Sequence, residues 1–311
     1  MFDSALVSVV FETVHGSRAY GLAGPDSDTD VKGIFVPPAE ALFGFESTPE
    51  QTEPEPEHVL YDIRKFFRLA AACNPTVIEI LFTDPADHVR CSPVGARLLQ
   101  KRTSFLSQRA GQSFGKYALA QLRRIKTHRR WLLEPPQAKP QRGAFGLSER
   151  AVIPAEQRGA ATALMEQGRL DPAEVSPAFM DQLDRERRYR GALREWQQYQ
   201  GWQRNRNPAR AELERQHGYD TKHAMHLMRL LRMAGEILET GRVLVRRPDA
   251  EELKAIRQGA WPYDVLLERA ETLAEQLPAL TRRSPLPVRP DLSRLNTFCA
   301  ELVADVLREP A

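Results

Sequence analysis

The stretch His15-Gly16-Ser17-Arg18-Ala19-Tyr20-Gly21, with Asp28-Thr29-Asp30 soon after it, decides the fold of this chain. Residues 6–11 before it are an apolar run rich in β-branched side chains, which predicts a buried strand. Gly16 and Ser17 therefore stand at the end of a strand. A small residue there lets the backbone approach a ligand closely, and backbone N–H groups can point at a phosphate. The stretch predicts a strand that leads into a phosphate-binding turn.

Two carboxylates follow this turn. Asp28 and Asp30 open a second predicted strand, residues 31–36. Because strand side chains alternate between faces, residues two apart project to the same side, here next to the turn. Two adjacent carboxylates are costly unless a cation neutralises them, and Mg²⁺ prefers oxygen ligands. The spacing therefore predicts a magnesium site beside the turn.

A third carboxylate for that site has two candidates. Asp62 stands between a short predicted strand at residues 58–61 and a predicted helix at residues 63–70, so it is either a metal ligand or the N-cap of the helix. Glu79 lies inside the apolar run 77–82, where an acid needs a partner. Both candidates stay open at this point.

The pattern along the chain predicts the α+β fold class. Strand-like patterns are concentrated in roughly the first 85 residues, and the remainder is mostly amphipathic helix. We expect a small mixed-sheet domain at residues 1–90 followed by a mostly α-helical domain at residues 91–311. Residues 44–57 are acidic and punctuated by proline, which indicates a loop that is either solvated or folded over a nearby site.

Composition narrows the functional classes. The net charge of the 311 residues is +3, so a basic surface has to come from local clustering. No apolar run is long enough to span a bilayer, and the first residues lack the basic region of a signal peptide. Three widely spaced cysteines without metal-like pairing are expected to be reduced thiols of a cytoplasmic protein: Cys73, Cys91 and Cys299.

A basic stretch at residues 109–142 is the candidate surface for a nucleic acid. Its cations far outnumber its acids, and His128 and Trp131 are interleaved with them. Such a stretch can hold a phosphate backbone and stack a base, although a solvated helix face is the other explanation.

A second informative helix is predicted at residues 219–232, capped by Asp220 or Thr221. Lys222, His226 and Arg229 recur at i, i+4 and i+7, so that one face of the helix presents three basic groups in line. This face suits a polyphosphate. A metal site at His223 and His226 lacks the HExxH spacing, and plain surface charge is the remaining alternative.

These motifs together resemble a known superfamily. Gly16-Ser17, ten intervening residues and Asp28-Thr29-Asp30-Val31 are similar to the signature of the DNA polymerase β-like nucleotidyltransferases, with Thr29 in place of the usual apolar residue. More narrowly, the chain resembles the bacterial and phage family of predicted nucleotidyltransferases associated with RNA repair and RNA ligases. The stretches that carry this narrower resemblance are 16–22, 27–30, 62–66, 74–79 and 219–226.

The resemblance implies a palm domain followed by a helical domain, with a nucleotide between them. It implies that Gly16, Ser17 and Arg18 contact the triphosphate. Asp28, Asp30 and a third carboxylate, Asp62 or alternatively Glu79, would hold two Mg²⁺ ions. From the helical domain Lys222, with His226 and Arg229 on the same face, would steady the phosphates.

The implied reaction is transfer of a nucleoside monophosphate from an NTP to an RNA end in RNA repair or processing. An RNA ligase or another repair protein is implied as a partner, and no membrane is involved. Two alternatives remain: nucleotidylation of a protein or small molecule, and a non-catalytic RNA-binding module.

Overall fold

The computed structural model describes residues 8–25, 27–45, 48–167 and 176–308. Residues 6 and 7 of the predicted first strand and Glu46 of the predicted acidic loop lie outside these ranges. The described strands form one five-stranded sheet in the order β3-β4-β2-β1-β5. The strands are β1 (Ser8–His15), β2 (Asp30–Val36), β3 (Gln51–Glu55), β4 (His58–Asp62) and β5 (His88–Cys91).

The sheet is mixed. β2 and β4 run parallel, and the other neighbouring pairs are antiparallel. Helices make up most of the remaining described residues, which confirms the predicted α+β class. They are α1 (Gly16–Ala19), α2 (Ala39–Phe43), α3 (Ile63–Ala71), α4 (Pro75–Leu81), α5 (Pro93–Gln100), α6 (Arg109–Leu133), α7 (Ala155–Glu166), α8 (Pro177–Arg204), α9 (Pro208–His217), α10 (Thr221–Thr240), α11 (Ala250–Arg257), α12 (Tyr263–Arg283) and α13 (Leu292–Arg308).

One sequence prediction is wrong in this region. The acidic segment 44–57 is not a continuous loop, because it contains β3, which pairs antiparallel with β4. β3 is an edge strand, and an edge strand tolerates Pro54 because its unpaired side needs no N–H donor. Only two residues separate the end of β3 at Glu55 from the start of β4 at His58. Glu57 therefore stands directly before β4.

The chain divides into two compact units. The first consists of residues 1–126 and 216–311, and the second of residues 127–215. The predicted boundary at residue 90 lies within β5, which ends at Cys91, and inside the first of these units. No described helix is both long enough and apolar enough to cross a membrane.

The first unit contains a hydrophobic core between the sheet and the helices. Phe11 and Ile34 of the sheet, Phe66 of α3 and Met228 of α10 are all buried in it. Twelve residues of α10 are buried, so this helix is a central element of the unit. In the second unit, Trp131 and Tyr199 are buried, and the carboxylate of Glu186 lies 2.5 Å from the guanidinium of Arg142.

Candidate functional site

The predicted phosphate-binding turn lies directly after β1. His15, the last residue of β1, pairs with Asp30, the first residue of β2. Gly16 follows with a positive φ of 67°, which favours glycine. A Cβ atom at Gly16 would lie 2.0 Å from Oδ2 of Asp30. The structure therefore packs the Asp30 carboxylate against the backbone of the turn.

Asp28 lies on the exposed loop that precedes β2, since the strand begins only at Asp30. The side chain of Arg18 binds the backbone of this loop. Its Nε donates to the carbonyl of Asp28 at 3.3 Å and its Nη2 to the carbonyl of Ser27 at 2.7 Å. Arg18 was expected to help bind phosphate. Here it connects the turn to the loop that carries Asp28.

A third acid, Glu57, lies next to Asp30 and was not predicted as a site residue from the sequence. The N–H of Val31 donates to the carbonyl of Glu57 at 2.9 Å, and Glu57 has a positive φ of 61°. A hydrogen bond to Asp30, the charge of Asp30, burial and the charge of Asp28 raise the pKa of the Glu57 carboxyl, while Lys32 lowers it. The Glu57 carboxyl therefore interacts with Asp30 directly and with Asp28 through its charge, at the end of the predicted phosphate-binding turn.

The register of the sheet explains this placement. β2 and β4 are parallel and Val31 pairs with His58, so the residues directly before this pair, Asp30 and Glu57, meet at the same end of the two strands. The usable sequence signal was an acid immediately before the predicted strand 58–61. The pattern of residues 44–57 places that acid in the predicted loop.

The same register places Asp62 at the opposite end of the two strands from Asp30 and Glu57. Asp62 pairs with Phe35, five residues along β2 from Asp30, which is about 16 Å at the rise of a strand. Its Oδ1 accepts from the backbone N–H of Arg64 at 2.7 Å, and its Oδ2 lies 2.5 Å from Nη2 of Arg64. The N-cap alternative is therefore correct, and the assignment of Asp62 as a metal ligand is wrong.

Glu79 is not part of the acid cluster either. Only 1% of its surface is exposed. Its Oε1 lies 2.5 Å from Nη1 of Arg229, and its Oε2 accepts from the hydroxyl of Tyr20 at 2.5 Å and lies 3.4 Å from Nε2 of His15. Burial alone would raise the pKa of Glu79, but Arg229, His15 and Tyr20 lower it to about 2. The carboxylate is ionised and its partners are protein groups.

The three basic residues of α10 have different environments. Arg229 is buried, pairs with Glu79 and lies 3.9 Å above the ring of Tyr20, so its predicted contact with a nucleotide is corrected. Burial and the positive charges of Arg229, Lys222 and His223 lower the pKa of His226 to about 3, so that its imidazole is neutral at pH 7. Lys222 is exposed and forms no ion pair within the described parts of the chain. Of the predicted trio, Lys222 retains an accessible positive charge.

Trp131, one of the aromatic residues interleaved in the basic stretch, is buried. The sequence left open whether the aromatics of this stretch stack a base, but Trp131 is 5% exposed and packs against Tyr199 and Trp202 within the second unit. Its Nε1–H donates to Glu195 at 3.3 Å. Asp220 is the cap of α10, because its carboxylate accepts from the N–H of His223 at 3.0 Å.

Comparisons with known proteins agree with the predicted resemblance. Residues 2–134 match the model of the RNA repair pathway DNA polymerase beta family, which confirms the resemblance over this part of the chain. The chain is 34% identical over 90 residues to an uncharacterized 38.9 kDa protein of Enterobacteria phage T4, encoded between nrdC and mobD. It is 41% identical over 83 residues to the uncharacterized protein YcgL of Bacillus subtilis.

These alignments are partial. Each covers 25% of this chain, and they cover 27% of the phage protein and 32% of the Bacillus protein. No solved structure matches the chain.

Proposed function

We propose that the chain is a magnesium-dependent nucleotidyltransferase that moves a nucleoside monophosphate from an NTP to the end of an RNA. A bond forms between an acceptor oxygen and the α-phosphorus, the bond to pyrophosphate breaks, and the acceptor proton leaves to solvent. One observation carries this proposal: at the end of the turn formed by Gly16 and Ser17, the Glu57 carboxyl is hydrogen-bonded to Asp30 and interacts with the charge of Asp28.

The donor set fits divalent cations. The hydrogen bond to Asp30, followed by the negative charges of Asp30 and Asp28, raises the pKa of Glu57, and a bound cation would offset this repulsion. Carboxylate oxygens are the ligands that Mg²⁺ prefers, and Asp28, Asp30 and Glu57 would hold the ions. When bound, Mg²⁺ activates an acceptor hydroxyl and neutralises the charge that develops on the phosphates.

The other residues of the site bind and orient the nucleotide. Gly16 has no side chain at a point where a Cβ would collide with Asp30, so the backbone of the turn stays close to the Asp30 carboxylate. The hydroxyl of Ser17 and the N–H groups of the turn provide donors for phosphate oxygens. Lys222 supplies a positive charge from α10, two helical turns or about 10 Å from Arg229.

Support for RNA as the acceptor comes from α6. Four exposed cations of this helix form no ion pair with the described acids: Lys116, Arg123, Arg124 and Lys126. Lys116 and Arg123 are two turns apart on one side of the helix, where both can contact one phosphate backbone. The family description, with its RNA repair pathway, points to the same acceptor. An RNA ligase or other repair protein as a partner stays a prediction.

The experiment incubates the purified chain with Mg²⁺, each α-³²P-labelled NTP in turn, and short RNAs. We expect label on RNA with the wild type, and none with Asp30→Asn or Glu57→Gln. Asp62→Asn is the matched control, because it changes a carboxylate that caps α3 about 16 Å along the strand direction from Asp30, and it is expected to keep transfer. Label on a protein or an added small molecule instead of RNA would show that the acceptor is not an RNA end. Normal transfer by Glu57→Gln would contradict the assigned site.

A further inference from the structure

The phosphate-binding turn is fixed at both of its ends by one buried carboxylate. His15 precedes the turn and Tyr20 follows it, and both side chains contact Oε2 of Glu79. The aromatic rings of His15 and Tyr20 also pack edge to face, with 5.6 Å between their centres. Glu79 comes from α4, so a separate element holds the two ends of the turn together.

The other oxygen of Glu79 connects this arrangement to α10. Nη1 of Arg229 lies 2.5 Å from Oε1 of Glu79, and the guanidinium also covers the ring of Tyr20 at 3.9 Å. Arg229 therefore contacts Tyr20 directly and through Glu79. Because α10 also carries Lys222, the turn and this lysine are held by the same group of buried side chains.

Residues that follow α10 complete the support. The backbone N–H of Arg247 donates to the carbonyl of Tyr20 at 3.1 Å, and Nη1 of Arg257 donates to the carbonyl of Leu22 at 3.5 Å. Within the turn, the N–H of Tyr20 donates to the carbonyl of Gly16 and the N–H of Leu22 to that of Ser17. The conformation of the turn thus depends on contacts from three other parts of the chain.

We infer that Glu79 is a positioning residue, which holds the turn in the conformation that binds the triphosphate by linking His15 and Tyr20 to Arg229. This inference rests on the proposed function. A buried ion pair contributes little net stability compared with well-packed apolar residues. Its role here is geometric, because a carboxylate in contact with three side chains restricts the arrangements of the turn.

Two variants test this role. Glu79→Gln removes the negative charge that Arg229 requires, and Tyr20→Phe removes only the hydroxyl that donates to Glu79 while the ring under Arg229 stays. The matched control is Glu214→Gln in the second unit. Glu214 is 1% exposed and pairs with Arg206 at 2.6 Å and Arg210 at 3.0 Å, so it is an equally buried carboxylate between guanidinium groups.

The measurements are the Kd of a non-hydrolysable NTP analogue with Mg²⁺, the Kd of Mn²⁺ alone, and the Tm. We expect nucleotide binding to weaken at least tenfold in Glu79→Gln and about threefold in Tyr20→Phe, since hydrogen bonds to charged groups are the stronger ones. Mn²⁺ affinity is expected to stay within twofold, because Asp28, Asp30 and Glu57 are unchanged. Hydrogen exchange at the amides of Tyr20 and Leu22 should accelerate in both variants. In Glu214→Gln the Tm falls while nucleotide affinity stays at the wild-type value.

The outcomes separate the two proposals. If the wild type binds the analogue and both variants bind it equally well, the positioning role is refuted while the proposed function stands. If Glu79→Gln does not fold, Tyr20→Phe decides by the same criterion. An equal loss of affinity in Glu214→Gln would refute the role, because the effect would then follow general stability. If the wild type binds neither Mn²⁺ nor the analogue, the proposed function fails and this inference fails with it.

Discussion

Replacing Gly16 by alanine tests how closely the turn and the acid cluster depend on each other. Gly16 has a φ of 67°, and an alanine in this left-handed region costs about 1–2 kcal/mol. Its Cβ would also lie 2.0 Å from Oδ2 of Asp30, so the carboxylate must move by roughly 1 Å or more to restore van der Waals contact. We expect Mn²⁺ binding, followed by titration calorimetry, to weaken at least tenfold, which corresponds to about 1.4 kcal/mol.

Gly21→Ala is the matched control for this prediction. Gly21 has a φ of 73°, so alanine carries the same backbone strain, but the nearest atoms to its Cβ would be 3.9 Å away. We therefore expect Gly21→Ala to lower the free energy of unfolding by a similar 1–2 kcal/mol without changing Mn²⁺ affinity. If the two variants bind Mn²⁺ equally well, the contact between Gly16 and Asp30 has no role in ion binding, and the reasoning is refuted.

Three further predictions concern other residues of the first unit. Asp62→Ala removes the cap of α3 and should cost about 1 kcal/mol in urea unfolding, with Mn²⁺ affinity unchanged; a loss of binding would restore Asp62 as a ligand. The pKa of His226 is about 3, against 6.5 when unfolded, so the stability contributed by its neutral form is lost as the pH falls below 6.5. His226→Gln should therefore reduce the loss of stability between pH 7 and pH 5 by about 2 kcal/mol in urea unfolding, and an unchanged pH dependence would contradict the burial of a neutral imidazole. Replacing Lys116, Arg123 and Lys126 by glutamine should reduce the slope of log K for single-stranded RNA against log salt by about 2, and an unchanged slope would exclude α6 from the RNA surface.

Local patterns in the sequence were sufficient to predict the first part of the site, from β1 through the turn to Asp30. The β-branched run before His15 and the spacing of Asp28 and Asp30 predict two strands joined by a turn, and β1, α1 and β2 follow this order. Such features depend on neighbours in sequence, because strand propensity and the alternation of side chains are local properties. The proximity of the turn and Asp30 is therefore predictable from the sequence alone.

The third carboxylate could not be assigned in the same way. Whether Glu57 or Asp62 meets Asp30 depends on the register between β2 and β4, two strands separated by β3 and a helix in the sequence. The two acids stand immediately before and at the end of β4, so each has a plausible local role. Only the pairing of Val31 with His58 shows that the first of them is adjacent to Asp30.

The basic face of α10 illustrates a different limit. Helical spacing correctly indicates that Lys222, His226 and Arg229 share a face, but it does not indicate what that face contacts. The partner of Arg229 is Glu79, 150 residues earlier in the chain, and it draws the guanidinium into the core. A charged residue at an amphipathic position was interpreted as solvent-facing because a buried charge is rare without a partner, and the partner lay in a distant apolar run.

This long-range ion pair joins α4 to α10 inside the first compact unit, which contains both the sheet and the C-terminal helices. The part of the chain that matches the family model ends at residue 134, and it contains the turn, the three acids and Glu79 but not Arg229. Without Arg229 the Glu79 carboxylate would be a buried charge whose strongest compensating group is missing, and such a charge either takes up a proton or opens the structure around it. The carbonyl of Tyr20 would likewise lose the N–H of Arg247. The helices after residue 216 therefore contribute buried contacts to the turn, and the segment that matches the family model contains only part of the structure around it.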